Sequence, residues 1–216
     1  METVFADIFA RGGWKSENNE SASGPGSTLA FTENLRAKLP GVLRDLHVDT
    51  LLDAPCGDLN WLSEIDLGEI RYIGMDIVPE LIAQNQARFG DESRSFAVAD
   101  ITRDPLPSAD LILVRDFFIH MPFDSIWAFF RNFATSDIEW ALLSSYPNDE
   151  NNEQKLNGRS RPLNLQVAPF SLPEPARTID DYVPGRWQRY IGLWSRAQIR
   201  EALERRGEQS DKGTME

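Results

Sequence analysis

Cysteine is almost missing from this 216-residue sequence: Cys56 stands alone. No intramolecular disulfide is possible, which argues against a stapled secreted fold and against a cysteine-built metal site. Histidine is nearly as scarce. His47 and His120, with one cysteine, make no recognisable ligand set, so no metal is expected. Basic charge is also short, with 22 Lys and Arg against 34 Asp and Glu, a net charge of −12. A duplex-binding protein would show a broad basic face, so nucleic acid is not an expected partner, although a local basic cluster for a small anion stays compatible. No apolar run approaches the roughly 20 residues of a membrane helix. The opening Met1-Glu-Thr-Val-Phe-Ala-Asp lacks the basic segment and apolar core of a signal peptide. A cytoplasmic location without a membrane partner is the expectation. Finally, there is no Walker lysine and no Gly-x-Gly-x-x-Gly run, so a phosphate cradle has little support.

What is present suits one α/β domain with a full core. Apolar residues make up 41% and aromatic residues 10%, which excludes a disordered acidic chain. Val4, Phe5, Ile8 and Phe9 fall at helical spacing, and residues 11–27 are Gly, Ser and Asn-rich, as in a loop. A helix is expected from Thr28 to about Leu46, split at Pro40. A rhythm follows. Five short apolar runs begin at Thr50, Arg71, Ser95, Ala109 and Glu139, and most are separated by helix-like segments. These segments are 58–66, 79–89 with Pro79 at the first position, and 124–134 with Asp124 as a candidate N-cap and Ile126, Phe129, Phe130 and Phe133 as one stripe. Strands apolar throughout and alternating with helices indicate a parallel sheet covered on both faces. Residues 147–175, with five prolines, read as a long irregular insertion, a lid or binding loop if not disordered. A late strand is expected within 186–194, then a helix opened by a Ser195/Gln198 capping box, then a polar tail from Gly207.

Ligands of parallel sheets bind beyond the carboxyl ends of the strands. There the sequence places acids: Asp53, Asp76, Asp100 and Asp116 close four consecutive runs. An acid after the second strand suits the two hydroxyls of a ribose, and an acid after the third suits an adenine amino group. Gly57 lets backbone approach a ligand where a Cβ would intrude. Without a phosphate cradle, a nucleoside carrying little or no phosphate remains, and S-adenosylmethionine fits.

The motifs over roughly residues 50–146 resemble those of the class I S-adenosylmethionine-dependent methyltransferases. Leu51-Leu-Asp-Ala-Pro-Cys-Gly-Asp looks like their first motif, Tyr72-Ile-Gly-Met-Asp-Ile like the ribose-binding element, and Val98-Ala-Asp-Ile like the adenine-contacting one. Leu111-Ile-Leu-Val-Arg-Asp-Phe-Phe-Ile-His-Met-Pro looks like the fourth. Pro55 and Leu59 stand where the family usually has glycines. Only Gly57 remains, as in the Asp-x-Pro-Cys-Gly variant of the superfamily. The resemblance implies a Rossmann-like fold and S-adenosylmethionine as cofactor. It places Asp53, Ala54, Pro55, Cys56 and Gly57 along the methionine part, Asp76 on the ribose with Ile77 beside the adenine, Asp100 and Ile101 on the adenine edge, and Arg115 near the cofactor. The expected organisation is residues 1–46 as N-terminal helices with a cofactor-covering loop, 47–146 as the cofactor-binding core, 147–206 as substrate loop with C-terminal strand and helix, and 207–216 as a flexible tail.

Other candidates come from the residues themselves. Gly24 and Gly26 lie in Ser23-Gly-Pro-Gly-Ser-Thr, a turn opening onto a helix, where free N–H groups attract a carboxylate. His120 and Asp116 are the candidates for a general base, needed if an O- or N-nucleophile must lose a proton. Tyr146 and Trp187, with Trp14 and Trp194, are candidate walls of an acceptor pocket. Lys155, Arg159, Arg161, Arg186 and Arg189 would make a site for an anion if they converge. A small-molecule acceptor is expected. Two rival functions share the fold: a non-catalytic subunit that binds S-adenosylmethionine, and a nicotinamide-dependent dehydrogenase, which lacks its glycine run here.

Overall fold

The computed structural model describes all residues except 17, 154–155 and 214–216, and for 209–213 the backbone alone. The apolar runs form strands β1 (Thr50–Asp53), β2 (Arg71–Asp76), β3 (Arg94–Val98), β4 (Leu111–Val114) and β5 (Trp140–Ser145). Two further strands, β6 (Arg177–Asp180) and β7 (Tyr190–Ser195), complete a seven-stranded sheet of order β3-β2-β1-β4-β5-β7-β6. β1 to β5 pair in parallel, and β7 runs antiparallel to both β5 and β6. The helices are α1 (Glu2–Ala10), α2 (Glu33–Asp45), α3 (Pro79–Phe89), α4 (Phe123–Thr135) and α5 (Arg196–Gly213). No described helix is long and apolar enough to cross a membrane.

Alternation along the strands sorts the core into two layers. On one face Leu51, Leu111, Leu113 and Leu142 meet Leu35, Leu39 and Leu43 of α2. On the other, Leu52, Ile112, Val114 and Leu143 meet Phe129, Phe130 and Phe133 of α4. Those three phenylalanines are fully buried, each worth roughly 2–3 kcal/mol of burial, so α4 anchors its layer.

Several expectations change. α2 starts at Glu33 rather than Thr28 and runs unbroken through Pro40. The proline removes one helical N–H donor, but burial of Leu35, Leu39, Val42 and Leu43 along the helix offsets that loss. Asp124 does not cap α4. It lies inside the first turn, while the Phe123 N–H donates to Glu153 Oε1 at 3.1 Å. Segment 58–66 holds only a 3-10 turn, Leu62–Glu64. The Ser195/Gln198 box closes as expected, with Ser195 N donating to Gln198 Oε1 at 2.8 Å and Gln198 N to Ser195 Oγ at 3.3 Å. α5 then continues to Gly213, through most of the stretch read as a tail. The insertion after β5 is irregular but not detached. Leu163, Leu165, Phe170 and Leu172 are buried, and the Phe170 ring packs 5.3 Å from that of Trp127.

Candidate functional site

The chain leaves β1 through Asp53-Ala-Pro-Cys-Gly-Asp and turns at once. Ala54 N donates to Leu113 O and Cys56 N to Met75 O, which hold the turn over the ends of β4 and β2. Gly57 sits at φ +56°, where a side chain is strained. A Cβ there would lie 2.4 Å from Ser23 Oγ. A cavity of about 640 Å³ opens above this turn, across the carboxyl ends of β2, β1, β4 and β5.

Two buried acids define its first end. Asp53 accepts a 2.7 Å hydrogen bond from the Tyr72 hydroxyl, yet burial outweighs that bond and pushes its pKa up to about 7. Asp76 accepts from Val78 N at 3.0 Å and Gly57 N at 3.2 Å, and burial still raises it to about 6. Cys56 is buried beside them. Its thiol is pushed well above the ordinary value by burial and by the two carboxylates, so it is an inert packed residue. Ile77, Val78 and Leu81 supply apolar wall.

The N-terminal region forms the roof. Phe5 and Phe9 of α1, Trp14 and residues 22–27 face the cavity. Asp58 ties this segment to the β1 turn, accepting from Ser21 Oγ at 2.9 Å and Ala22 N at 2.6 Å, while its own N–H donates to Ser23 Oγ at 2.9 Å. A 3-10 turn, Pro25–Ser27, follows Gly24. Gly26 O accepts from Arg115 Nη2 at 2.7 Å.

The other end is built on a buried group of four charges. Arg115 binds Asp181 through Nε at 3.0 Å and Nη2 at 3.2 Å. Arg189 Nε lies 2.9 Å from Asp181 Oδ2, and its Nη1 binds Asp116. Asp116 sits at φ +53° and also accepts from the Tyr146 hydroxyl at 3.1 Å. Burial works against its charge, but the guanidinium groups of Arg189 and Arg115 prevail and hold its carboxyl below the usual range. Phe31 covers Arg189, 4.4 Å from guanidinium to ring centre. His120 ends a 3-10 turn, Phe118–His120, with Nδ1 3.3 Å from Ser160 Oγ and its ring 5.3 Å from that of Trp14. Burial lowers its pKa against the pull of Asp116, so the imidazole is neutral at pH 7.

Of the residues singled out in the sequence, Asp53, Pro55, Cys56, Gly57, Asp76, Ile77, Arg115, Asp116, His120, Tyr146, Trp187, Gly24 and Gly26 line the cavity. Five do not. Ala54 is fully buried behind the turn. Asp100 is occupied locally, accepting from Thr102 N and Oγ1 at 3.0 and 2.6 Å and pairing with Arg103 at 3.5 Å. Ile101 is in the core, with its carbonyl bound to Asn132. Arg161 donates to the carbonyls of Phe118, Ile119, Met121 and Asn152, holding the turn before α4 rather than a ligand. Arg159 is exposed and off the cavity wall, and Lys155 lies outside the described residues. Arg186 and Arg189 do reach the cavity. Sequence reasoning missed Asp181, Ser23, Phe31 and Trp61. For α1, the helical spacing of Phe5 and Phe9 was the available signal.

Among solved structures the chain resembles magnesium protoporphyrin IX methyltransferase from Synechocystis with bound SAH, at 13% identity and TM-score 0.61, covering 89% of this chain and 99% of that one. The chain has the fold of a methyltransferase. Human N-acetylserotonin methyltransferase in complex with SAM matches at 14% identity and TM-score 0.57, over 88% of this chain and 57% of that one. The N-methyltransferase NodS from Bradyrhizobium japonicum matches at 13% identity and TM-score 0.55, over 77% and 96%. No family model matches the sequence, and no curated protein does.

Proposed function

We propose that this chain is an S-adenosylmethionine-dependent methyltransferase acting on an O- or N-nucleophile of a small molecule. The observation that carries the reading is one cavity with buried Asp53 and Asp76 and the Gly57 turn at one end and a neutral His120 at the other. The first end fits the cofactor. Asp53 is a carboxylate starved of solvation, which a cationic ligand would stabilise in its charged form. Asp76 lies one strand away, where a ribose would present its hydroxyls. Ile77, Val78 and Leu81 offer an apolar face for adenine, and the bare Cα of Gly57 allows close approach.

When bound, the cofactor supplies a methyl group already activated on a positively charged sulfur. The chain contributes alignment and exclusion of water, through the roof of residues 22–27 and the aromatic walls. Where the acceptor must lose a proton, His120 is the better of the two candidate bases. Its Nδ1 lies 3.3 Å from the Ser160 hydroxyl, and in the tautomer in which Nδ1 donates to that oxygen, Nε2 is the nitrogen that takes the proton. Asp116 is committed to Arg189 and Tyr146, and its depressed pKa makes it a weak base. Its role is to fix those two side chains.

Calorimetric titration with S-adenosylmethionine, S-adenosylhomocysteine and NAD tests the reading. Binding of both sulfur nucleosides is expected. Binding of neither would overturn the proposal, and binding of NAD alone would point to a dehydrogenase.

A further inference from the structure

The cavity crosses four neighbouring strand ends, about 15 Å at the usual strand spacing. The nucleoside takes the β2–β1 end. What remains lies over β4, β5 and β7, and its chemistry is narrow.

Its walls are flat and apolar. The rings of Tyr146 and Trp187 meet edge-on at 6.3 Å, and Trp187 is left 53% exposed beside the cavity it lines. Trp14 and His120 form a second pair of faces. Its charge is positive. Asp116 and Asp181 balance Arg115 and Arg189, and Arg186 is added to them without an ion pair among the described residues. The buried Nη2 of Arg189 has only the neighbouring Tyr146 hydroxyl beside it, and that hydroxyl donates to Asp116. Neutral polar groups are few. Among the described residues no Asn, Gln, Glu, Lys or Thr side chain lines the cavity. A sugar acid would satisfy the charge but would find little beyond Ser160, His120 and the already engaged Tyr146 and Asp116 for its several hydroxyls.

We propose that the acceptor is a small aromatic acid, its ring against Tyr146 and Trp187 and its carboxylate toward Arg186 and Arg189. The inference rests on the methyltransferase reading and names the substrate class of the same site. The carboxylate of the cofactor's methionine is the other possible source of an anion for Arg189, since Nη2 also lies beneath the roof at Gly26.

The test uses the full chain saturated with S-adenosylhomocysteine. Hydroxy- and aminobenzoates are titrated beside their own amides, the corresponding cyclohexane acids and glucuronate, with tryptophan fluorescence and calorimetry as readouts. At least one benzoate is expected to bind tenfold or more tightly than its amide and its cyclohexane counterpart. Arg186→Gln, a change at an exposed residue, is expected to cut the acid-to-amide ratio at least threefold. Ratios below tenfold across the whole panel, an unchanged ratio in Arg186→Gln, or tighter binding of glucuronate would each overturn the inference. Arg189→Met separates the two sources of carboxylate. If it weakens S-adenosylhomocysteine but not methylthioadenosine, which lacks the amino-acid part, Arg189 belongs to the cofactor and its place in the acceptor site is overturned. Failure of S-adenosylhomocysteine to bind the unaltered chain is a separate result, which takes down the methyltransferase reading and this inference with it.

Discussion

At the β1–β2 end of the cavity, Gly57 N reaches Asp76 across 19 residues, and Tyr72 reaches Asp53 across 19. At the β4–β7 end, Arg115 reaches Asp181 across 66 residues, Arg189 reaches Asp116 across 73, and Arg115 reaches Gly26 across 89. The first end is the product of one strand–turn–strand unit, with buried acids that stay under-solvated until something cationic arrives. The second is assembled from the whole chain, and its four buried charges are balanced by their own ion pairs, with Arg186 left over. The first end is therefore poised for a cationic ligand, while the second holds its shape before any ligand arrives, and substitutions should separate the two.

The largest effect is expected from Asp181→Ala. It strands two buried guanidinium groups, and breaking such a pair costs about 3–5 kcal/mol. Urea unfolding measures it, and a loss below about 1 kcal/mol would mean the four charges do not hold the far end together. Next comes Asp76→Ala, which is expected to weaken S-adenosylhomocysteine about 100-fold, the equivalent of charge-assisted hydrogen bonds of about 2–3 kcal/mol. A variant that binds normally would remove Asp76 from the site. Gly57→Ala should cost about 1–2 kcal/mol for its left-handed backbone, beyond the displacement of Ser23 that its Cβ forces. If thermal unfolding of that variant matches the parent, the turn is more pliable than its contacts indicate. The last prediction concerns pH. Asp53 holds its proton to about pH 7 when folded but ionises near pH 3.8 when unfolded. The folded state thus binds that proton more tightly, and the contribution to stability, complete below about pH 4, is lost as pH rises toward 7. Asp53→Asn should flatten this part of the ligand-free stability profile between pH 4 and 7, and an unchanged slope would show that burial does not raise the acid.

The same contrast explains what the sequence made legible. Asp53 and Asp76 terminate apolar runs and Gly57 sits in the turn after the first, so period and position revealed them together with the strands. The two-layer parallel sheet was legible for the same reason. β6 was not, because Ile179 is its single buried residue and the rest of Arg177-Thr-Ile-Asp reads as polar loop. Asp181 follows directly and has no local signal, since its meaning lies wholly in two distant arginines, one just after β4 and one just before β7. Asp100 matches in position but stands off the cavity, its carboxylate held by its own neighbours, Thr102 and Arg103. Arg161 stands off it for another reason. A guanidinium next to a loop suggests an anion, but the carbonyls of residues 118–121 offered it enough acceptors without one.

The Arg115–Gly26 bond also sets an order of events. The strand end that clasps the roof lies 89 residues further along the chain, and the aspartate that steadies that clasp 66 residues further still. Contacts so distant along the chain close late in folding. The roof is therefore among the last parts to be seated, and until then Phe5, Phe9 and Trp14 have no cavity to face.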